Sequence, residues 1–172
     1  MLDITALEKI PPQNLEAEKS LLGSILVDKD ALLKIADIIE PDDFYKNAHQ
    51  DIFEVVLELY GKNEPIDLLT LSVRLEEKGQ LEKIGGRSYL ANLSNSVPTS
   101  SHIKHYAEIV RRKSTLRKLL AASSKITQLS YQEENDVNKV LDEAQQHLYG
   151  VTQKHFKQSF TDIKSVLNEA FE

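Results

Sequence analysis

Apolar residues recur at intervals of three and four positions along almost the whole chain, and this spacing limits the possible folds more than any other feature. Such periodicity is typical of amphipathic helices. No segment alternates apolar and polar residues for long enough to indicate a strand. Asn14 stands where a helix N-cap is expected, and Gly61 and Gly79 follow apolar stretches, as left-handed helix stops do. The sequence therefore predicts an all-α fold.

The composition is that of a chain with a core of its own. Of the 172 residues, 41% are hydrophobic, and a chain of this size can bury roughly 70% of its unfolded surface. The absence of cysteine excludes disulfides, thiolate catalysis and cysteine-ligated metals. The apolar runs are too short to cross a membrane, and the first residues lack the pattern of a secretory signal. We therefore expect a soluble, cytoplasmic chain with no membrane partner.

Pro98 and the polar residues after it divide the chain into two parts of different charge. Residues 1–101 carry a net charge of −8, whereas the remainder carries +2. The first part contains several short predicted helices and is expected to form a globular helical head. Two long predicted helices follow in residues 102–151, and residues 152–172 form a tail.

The two long helices are expected to form an antiparallel hairpin. The apolar stripe of the first helix changes direction, since Tyr106 and Leu116 differ by about 80° around the axis. This shift predicts that the first half of the helix packs on the head and the second half on another partner. Pairing with a second copy into a four-helix bundle is one solution, and folding back onto the head is the other.

Self-association is the solution we favour, because two helices alone cannot cover both apolar stripes. The predicted dimer interface consists of Leu116, Leu119, Leu120, Ile126, Val140, Leu141 and Leu148.

The tail is expected to contain a linker and a separate helix. Residues 152–160 are polar and aperiodic, as linkers are, and Thr161 can cap a short amphipathic helix after them. A short helix at the end of a linker has no local surface on which to bury its apolar stripe. We therefore expect it to dock on a protein surface outside this chain through Ile163, Val166, Leu167 and Phe171.

No motif of nucleotide or metal chemistry is present in the sequence. The chain has neither a phosphate-binding loop nor a dinucleotide fingerprint, and the spacing around Gly85 and Gly86 suits helix termination. His102 and His105 could share a helix face, but no carboxylate lies at the spacing that would complete a metal site. His49 has aromatic neighbours and is interpreted as a packed or capping side chain. No catalytic, cofactor-binding or metal-binding residue is predicted.

Two charged clusters have both a functional and a structural interpretation. Asp42 and Asp43 could be paired carboxylates for acid–base chemistry, but their position after Pro41 favours capping at the positive end of a helix. Six basic residues lie between Arg111 and Lys125 with no acid among them. This basic cluster either contacts nucleic acid or forms a solvated helix face.

A series of short motifs runs through the chain in a definite order. They are Pro11-Pro12-Gln13-Asn14-Leu15-Glu16-Ala17-Glu18, Leu22-Gly23, Asp43-Phe44-Tyr45 with His49, Ile52-Phe53, Pro65-Ile66-Asp67, Gly79-Gln80-Leu81, Gly85-Gly86 with Tyr89-Leu90, Tyr106-Ala107, and Phe160-Thr161-Asp162-Ile163. In their order and spacing they resemble the N-terminal domain and linker helix of bacterial replicative DNA helicases of the DnaB type. The resemblance covers essentially the whole chain.

The resemblance implies a helical head and a hairpin whose copies pair into dimers. Three dimers would form a collar on a hexameric ring that encircles single-stranded DNA, at the replication fork in the bacterial cytoplasm. It further implies that the collar recruits primase, with a helicase loader or initiator as an additional partner. The linker helix would dock on a neighbouring motor domain.

The resemblance also implies that this segment is not itself an enzyme. ATP, magnesium and helicase activity belong to a RecA-like domain whose motifs this chain lacks. Grooves between a hairpin and a neighbouring head suit a partner helix. The predicted primase contacts are Glu16, Tyr89, Leu120 and Ile126. Core packing explains the last three equally well, and Glu16 can act as an acid near a helix N-terminus.

The alternative function is that of a free-standing helical module that binds nucleic acid or another protein. Tight, strongly salt-dependent binding of single strands by the isolated chain would favour it. The charge of the head and the lack of aromatic residues within the basic cluster count against this alternative.

Overall fold

The computed structural model describes residues 9–132 and 136–170, and side chains as far as residue 156. Within these residues the protein has seven α-helices, two short 3₁₀ helices and no strand. The α-helices are α1 (Leu15–Val27), α2 (Asn47–Gly61), α3 (Leu68–Glu77), α4 (Leu81–Ile84), α5 (Gly86–Ser94), α6 (Ile103–Ser130) and α7 (Val137–Ala170). The 3₁₀ helices are Lys29–Lys34 and Pro41–Asp43. The predicted all-α fold is confirmed.

Two helix starts have side-chain caps, and the one at Asn14 is the cap that the sequence predicts. The side chain of Asn14 accepts a hydrogen bond from the backbone N–H of Ala17 at 3.0 Å. Asp67 accepts one from the backbone N–H of Thr70 at 2.8 Å. Each cap satisfies one of the N–H groups that have no partner inside a helix.

Left-handed residues end α3 and α4, but the predicted stop at the end of α2 is wrong. Gly79 has φ +66° and Gly85 has φ +110°, a region that glycine enters without steric cost. Gly61 is still helical, and the left-handed residue beyond α2 is Asn63, with φ 54°. Asparagine tolerates this conformation because its short polar side chain can hydrogen-bond locally.

The chain divides into two compact units, and the boundary lies inside α6. One unit, which we call the head, ends at Ser114, and the other, the hairpin unit, begins at Thr115. The predicted boundary before α6 is corrected, because Ile103, Ala107 and Val110 are buried in the core of the head. The prediction that the first half of this helix packs on the head is confirmed.

The core of the head draws on α1 to α5 and on the first turns of α6. Phe44 and Phe53 are fully buried in it, with ring centroids 5.2 Å apart. α1 and α5 approach each other closely at Gly23. A Cβ atom there would lie 2.7 Å from Ser96 Oγ and nearer still to the carbonyl oxygen of Leu93. Only a residue without a side chain allows this approach.

The hairpin unit consists of the second part of α6 and of α7. α7 continues without interruption from Val137 to Ala170, so the predicted linker over residues 152–160 and the separate helix from Thr161 are corrected. The stretch contains no glycine or proline, and its lysine and glutamine residues have high helix propensity, so the helix continues through it at little cost. No helix in the described part of the chain is long and apolar enough to span a membrane.

Candidate protein–protein interaction surface

The second part of α6 carries leucine side chains on its surface. Leu116, Leu119 and Leu120 are 39%, 40% and 55% exposed. Because an α-helix turns by about 100° per residue, these three leucines lie within an arc of roughly 100° around the helix axis and form one stripe. A helix with an uncovered apolar stripe is a candidate for binding another protein.

α7 carries a second exposed apolar stripe. Val137, Leu141 and Leu148 are spaced by four and seven residues, which places them within roughly 40° of arc, and all three are exposed. Five of the seven residues in the predicted dimer interface are therefore exposed leucines of the hairpin unit. We call these five the hairpin stripe: Leu116, Leu119, Leu120, Leu141 and Leu148.

Ile126 and Val140 are the two remaining residues of the predicted interface. Both are half-buried, as is Ala144, while Ala122 is buried. A side chain that is already covered within its own chain gains less from a partner than an exposed one. The dimer interface stays a prediction, and its exposed apolar surface lies in the hairpin stripe.

The four predicted primase contacts are divided between the two units. Leu120 is exposed and Ile126 half-buried in the hairpin unit, whereas Glu16 and Tyr89 belong to the head. Glu16 is exposed and forms an ion pair with Lys19 at 2.9 Å, which raises the pKa of the Lys19 ammonium. Tyr89 is half-buried, and its hydroxyl is already hydrogen-bonded within the head.

A buried polar cluster joins α1, α2 and α5, and its acid was not predicted from the sequence. Glu18 is 1% exposed, and its carboxylate accepts hydrogen bonds from the backbone N–H groups of Tyr45 at 2.6 Å and Lys46 at 3.4 Å. His49 Nδ1 lies 2.6 Å from the same carboxylate. His49 Nε2 lies 2.7 Å from the Tyr89 hydroxyl, to which the Lys46 ammonium donates at 3.0 Å. We call Glu18, Lys46, His49 and Tyr89 the head polar cluster.

Glu18 of the head polar cluster holds the backbone that leads into α2. The N-cap position of α2 is Lys46, whose side chain makes no capping bond. The Glu18 carboxylate lies at this helix start instead, where the helix dipole favours a negative charge. The interpretation of His49 as a packed side chain is confirmed, because it is fully buried. Glu18 lies on the same helix face as Leu21 and Leu22, and a charge on an apolar face is the signal that could have revealed it.

The residues before α2 hold the first part of α6 in the head. Asp43 accepts hydrogen bonds from the backbone N–H of Glu40 at 2.9 Å and from the Ser114 hydroxyl at 2.7 Å. Arg111 donates to the carbonyl oxygen of Ile38 at 3.0 Å. Burial lowers the pKa of the Arg111 guanidinium, while the charges of Asp43 and Glu40 oppose this shift. The capping interpretation of Asp43 is confirmed, and Arg111 is part of the internal packing of the head.

An ion-pair network connects α2 with α3. Arg74 lies 2.6 Å from Glu58 and 2.9 Å from Glu64. Lys62 and Lys78 lie 2.8 Å and 2.6 Å from Glu58. Hydrogen bonds from Lys62 and Lys78, and then from Arg74, lower the pKa of Glu58 to about 2. The network ties two helices of the head together.

The remaining sequence predictions concern metal ligands and the docking residues of the tail. Among the described residues, no group of three or more histidine and acidic side chains could hold a metal ion, and His102 and His105 are exposed. The predicted docking side chains of the tail lie outside the described side chains: Ile163, Val166, Leu167 and Phe171.

The described residues thus define an all-helical domain, with a head that includes the first turns of a long helix and a helical unit that carries exposed leucines. The family described as the DnaB-like helicase N terminal domain matches residues 10–112, more than half of the chain. The chain belongs to this family, and the resemblance recognised in its motifs is confirmed.

Curated relatives of the chain are replicative DNA helicases. It is 40% identical over 165 residues to the replicative DNA helicase DnaB of Geobacillus stearothermophilus, and 39% identical over 165 residues to the replicative DNA helicase DnaC of Bacillus subtilis. Each match covers 96% of this chain and 36% of the relative. The chain thus spans about a third of the length of these relatives.

Solved structures show the same fold. The N-terminal domain of DnaB helicase from Mycobacterium tuberculosis matches with a TM-score of 0.79 and 41% identity, over 82% of this chain and 99% of that one. A DnaB-like replicative helicase, whose structure is described together with its interactions with primase, matches with a TM-score of 0.66 and 27% identity. That match covers 82% of this chain and 31% of the helicase.

Proposed function

We propose that this chain is the collar domain of a hexameric replicative DNA helicase, that it dimerises through the hairpin stripe, and that it recruits primase during DNA replication. The observation that carries the proposal is the hairpin stripe, five exposed leucines on a chain of the DnaB-like helicase N-terminal domain family.

A two-fold dimer brings the hairpin stripe of one copy against the same stripe of the other, because both partners use one surface. Covering an exposed leucine contributes roughly 1.5–3 kcal/mol, and a half-exposed one about half as much. Ten such leucines in a dimer contribute about 7–15 kcal/mol. This range is comparable to the roughly 4–15 kcal/mol that association costs in lost rigid-body freedom, so a dimer is energetically accessible.

The test of dimerisation is the substitution Leu120→Asp. A carboxylate buried without a partner is strongly unfavourable, so the variant should be monomeric while its head remains folded. The matched control is Leu69→Asp, because Leu69 is an even more exposed leucine but lies on α3 of the head. Sedimentation over a concentration series gives the mass, and circular dichroism gives the helix content. If Leu120→Asp keeps the wild-type mass at micromolar concentration, the hairpin stripe is not the dimer interface.

The proposed recruitment of primase is supported by the structural likeness to a DnaB-like helicase described with its interactions with primase. The test is calorimetric titration of the C-terminal domain of primase, from the same organism, into this chain without ATP. We expect heat of binding and co-elution. Absence of both at tens of micromolar would assign recruitment to another part of the helicase. Repeating the titration with Leu141→Asp, at a hairpin-stripe leucine outside the predicted primase contacts, shows whether binding needs the dimer.

We further propose that ATP and magnesium bind to a motor domain outside this chain, and that single-stranded DNA and a loader or initiator bind to the complete ring in the bacterial cytoplasm. The support is that the chain covers 36% of its helicase relatives and contains no phosphate-binding loop. The purified chain should therefore not hydrolyse ATP, and measurable turnover would contradict this division of labour.

The end of α7 and the residue that follows it in sequence are proposed to dock on a neighbouring motor domain, through Ile163, Val166, Leu167 and Phe171. Amide exchange of residues 162–171 tests this directly. Exchange should be fast in the isolated chain and slow in the full-length hexamer, and equal rates in both would contradict the docking.

A further inference from the structure

The hydrogen bonds of the head polar cluster run in one direction. The Lys46 ammonium has only donors, so the Tyr89 oxygen must accept from it. The hydrogen of the Tyr89 hydroxyl is then available to donate to His49 Nε2, 2.7 Å away, when that ring nitrogen carries no proton. His49 Nδ1 carries the ring proton and donates to the Glu18 carboxylate, which can only accept. This arrangement uses the hydroxyl hydrogen inside the cluster, whereas a doubly protonated imidazole would turn it outward.

Both the ring and the hydroxyl of Tyr89 are held within the head. The Tyr89 and His49 rings are nearly parallel, with centroids 6.1 Å apart and an interplanar angle of 11°. The Lys46 ammonium lies 4.3 Å from the centroid of the Tyr89 ring, a favourable cation–π distance. Any Cβ atom at Gly85 would lie 3.0 Å from Tyr89 Cβ. The side chain is thus held by Lys46 and His49 at the start of α2.

We infer that Tyr89 is a positioning residue rather than a primase contact, and that it holds α5 against the start of α2 through His49 as the neutral tautomer protonated at Nδ1. The cluster ends on Glu18 of α1, which binds the backbone leading into α2, so a change at Tyr89 of α5 affects contacts among three helices. Glu18 cannot touch a partner, since only 1% of it is exposed. Only the primase-binding measurement of this inference rests on the proposed function.

The central variant is Tyr89→Phe, which keeps the ring and removes the hydroxyl. Tyr60→Phe is the matched control, because Tyr60 is an exposed tyrosine on α2. In the wild-type chain, nitrogen NMR should show His49 with a proton on Nδ1 only. In Tyr89→Phe the His49 Nε2 signal should shift, and the melting temperature should fall by roughly 2–4 °C. Tyr60→Phe should change neither quantity.

The variant Glu18→Gln separates positioning from contact. If Tyr89 acts through the cluster, Glu18→Gln and Tyr89→Phe should both weaken primase binding by about fivefold, and both should alter the His49 signals. Lys46→Met provides a second route should Glu18→Gln not fold. Lys46→Met should lower the melting temperature less in a Tyr89→Phe background than in the wild type, because the hydroxyl that Lys46 binds is already absent.

Three results would overturn the inference. The first is a His49 ring protonated at Nε2 or at both nitrogens in the wild-type chain. The second is a Tyr89→Phe variant that loses primase binding while its His49 signals and melting temperature stay unchanged, which is the behaviour of a contact residue. The third is that the effects of Lys46→Met and Tyr89→Phe on the melting temperature add up in the double variant. If the wild-type chain does not bind primase at all, the proposed function fails, while the NMR and melting measurements still test the role of Tyr89.

Discussion

Replacing Gly23 with alanine should destabilise the head, because the added methyl group has no space between α1 and α5. Its Cβ atom would lie 2.7 Å from Ser96 Oγ and nearer still to the carbonyl oxygen of Leu93. The Ser96 hydroxyl already donates to the Leu93 carbonyl at 2.6 Å, so it cannot turn aside without losing that bond. The nearest obstacle is backbone, and α1 and α5 must move apart to admit the methyl group.

The expected size of this effect follows from two opposing terms. Overpacking a dense core costs typically about 1–3 kcal/mol, and a collision with backbone belongs at the upper end. Alanine is better than glycine inside a helix by about 1 kcal/mol, which offsets part of the cost. The net loss in free energy of unfolding for Gly23→Ala should therefore be about 2 kcal/mol.

Urea unfolding followed by circular dichroism measures this loss as a lower midpoint with an unchanged slope. Wild type and variants are compared at one protein concentration, since association shifts apparent stability. The matched control is Gly61→Ala, because a Cβ atom at this glycine of α2 meets nothing within 4 Å. The control should be at least as stable as the wild type, because alanine is the better helix former. A Gly23→Ala variant that unfolds at the wild-type urea concentration or above would refute the close approach of α1 and α5.

Two further predictions concern charged groups of the head. Because the pKa of Glu58 in the folded chain, about 2, lies below its usual value of 4.5, the ion-pair network stabilises the fold above pH 4.5 and is lost as the pH falls towards 2. In Glu58→Gln the urea midpoint should fall less steeply as the pH is lowered over this range. Glu54→Gln, at an exposed residue of the same helix, should show the same steep fall as the wild type. Equal pH dependence in the two variants would contradict the network. Ser114→Ala leaves the buried Asp43 carboxylate without one donor and should cost about 1–3 kcal/mol, measured by urea unfolding. Ser123→Ala, at an exposed serine of the same helix, should cost far less, and a similar loss for both would show that the bond to Asp43 contributes nothing.

Local features of the fold could be predicted from the sequence because their causes are local. The cap at Asn14 and the left-handed turn at Gly79 depend on residues a few positions apart. The exposed leucines of the hairpin unit could also be found, since the periodicity of a helix places them on one stripe. The tail shows the limit of this reasoning, because polar residues at 152–160 are compatible with either a linker or a continuing helix.

Order and spacing of short motifs in the sequence were sufficient to recognise the helicase family, and helical periodicity was sufficient to predict the all-α class. The tertiary structure alone decided how residues far apart in sequence meet. Glu18 binds the backbone N–H of Tyr45, 27 positions away and just before α2, and Asp43 binds Ser114 across 71 positions. The head therefore extends into α6, and Tyr89 is hydrogen-bonded inside the head. A one-dimensional pattern specifies which face of a helix is apolar, but not which other helix covers it, because that choice depends on the packing of all the helices together.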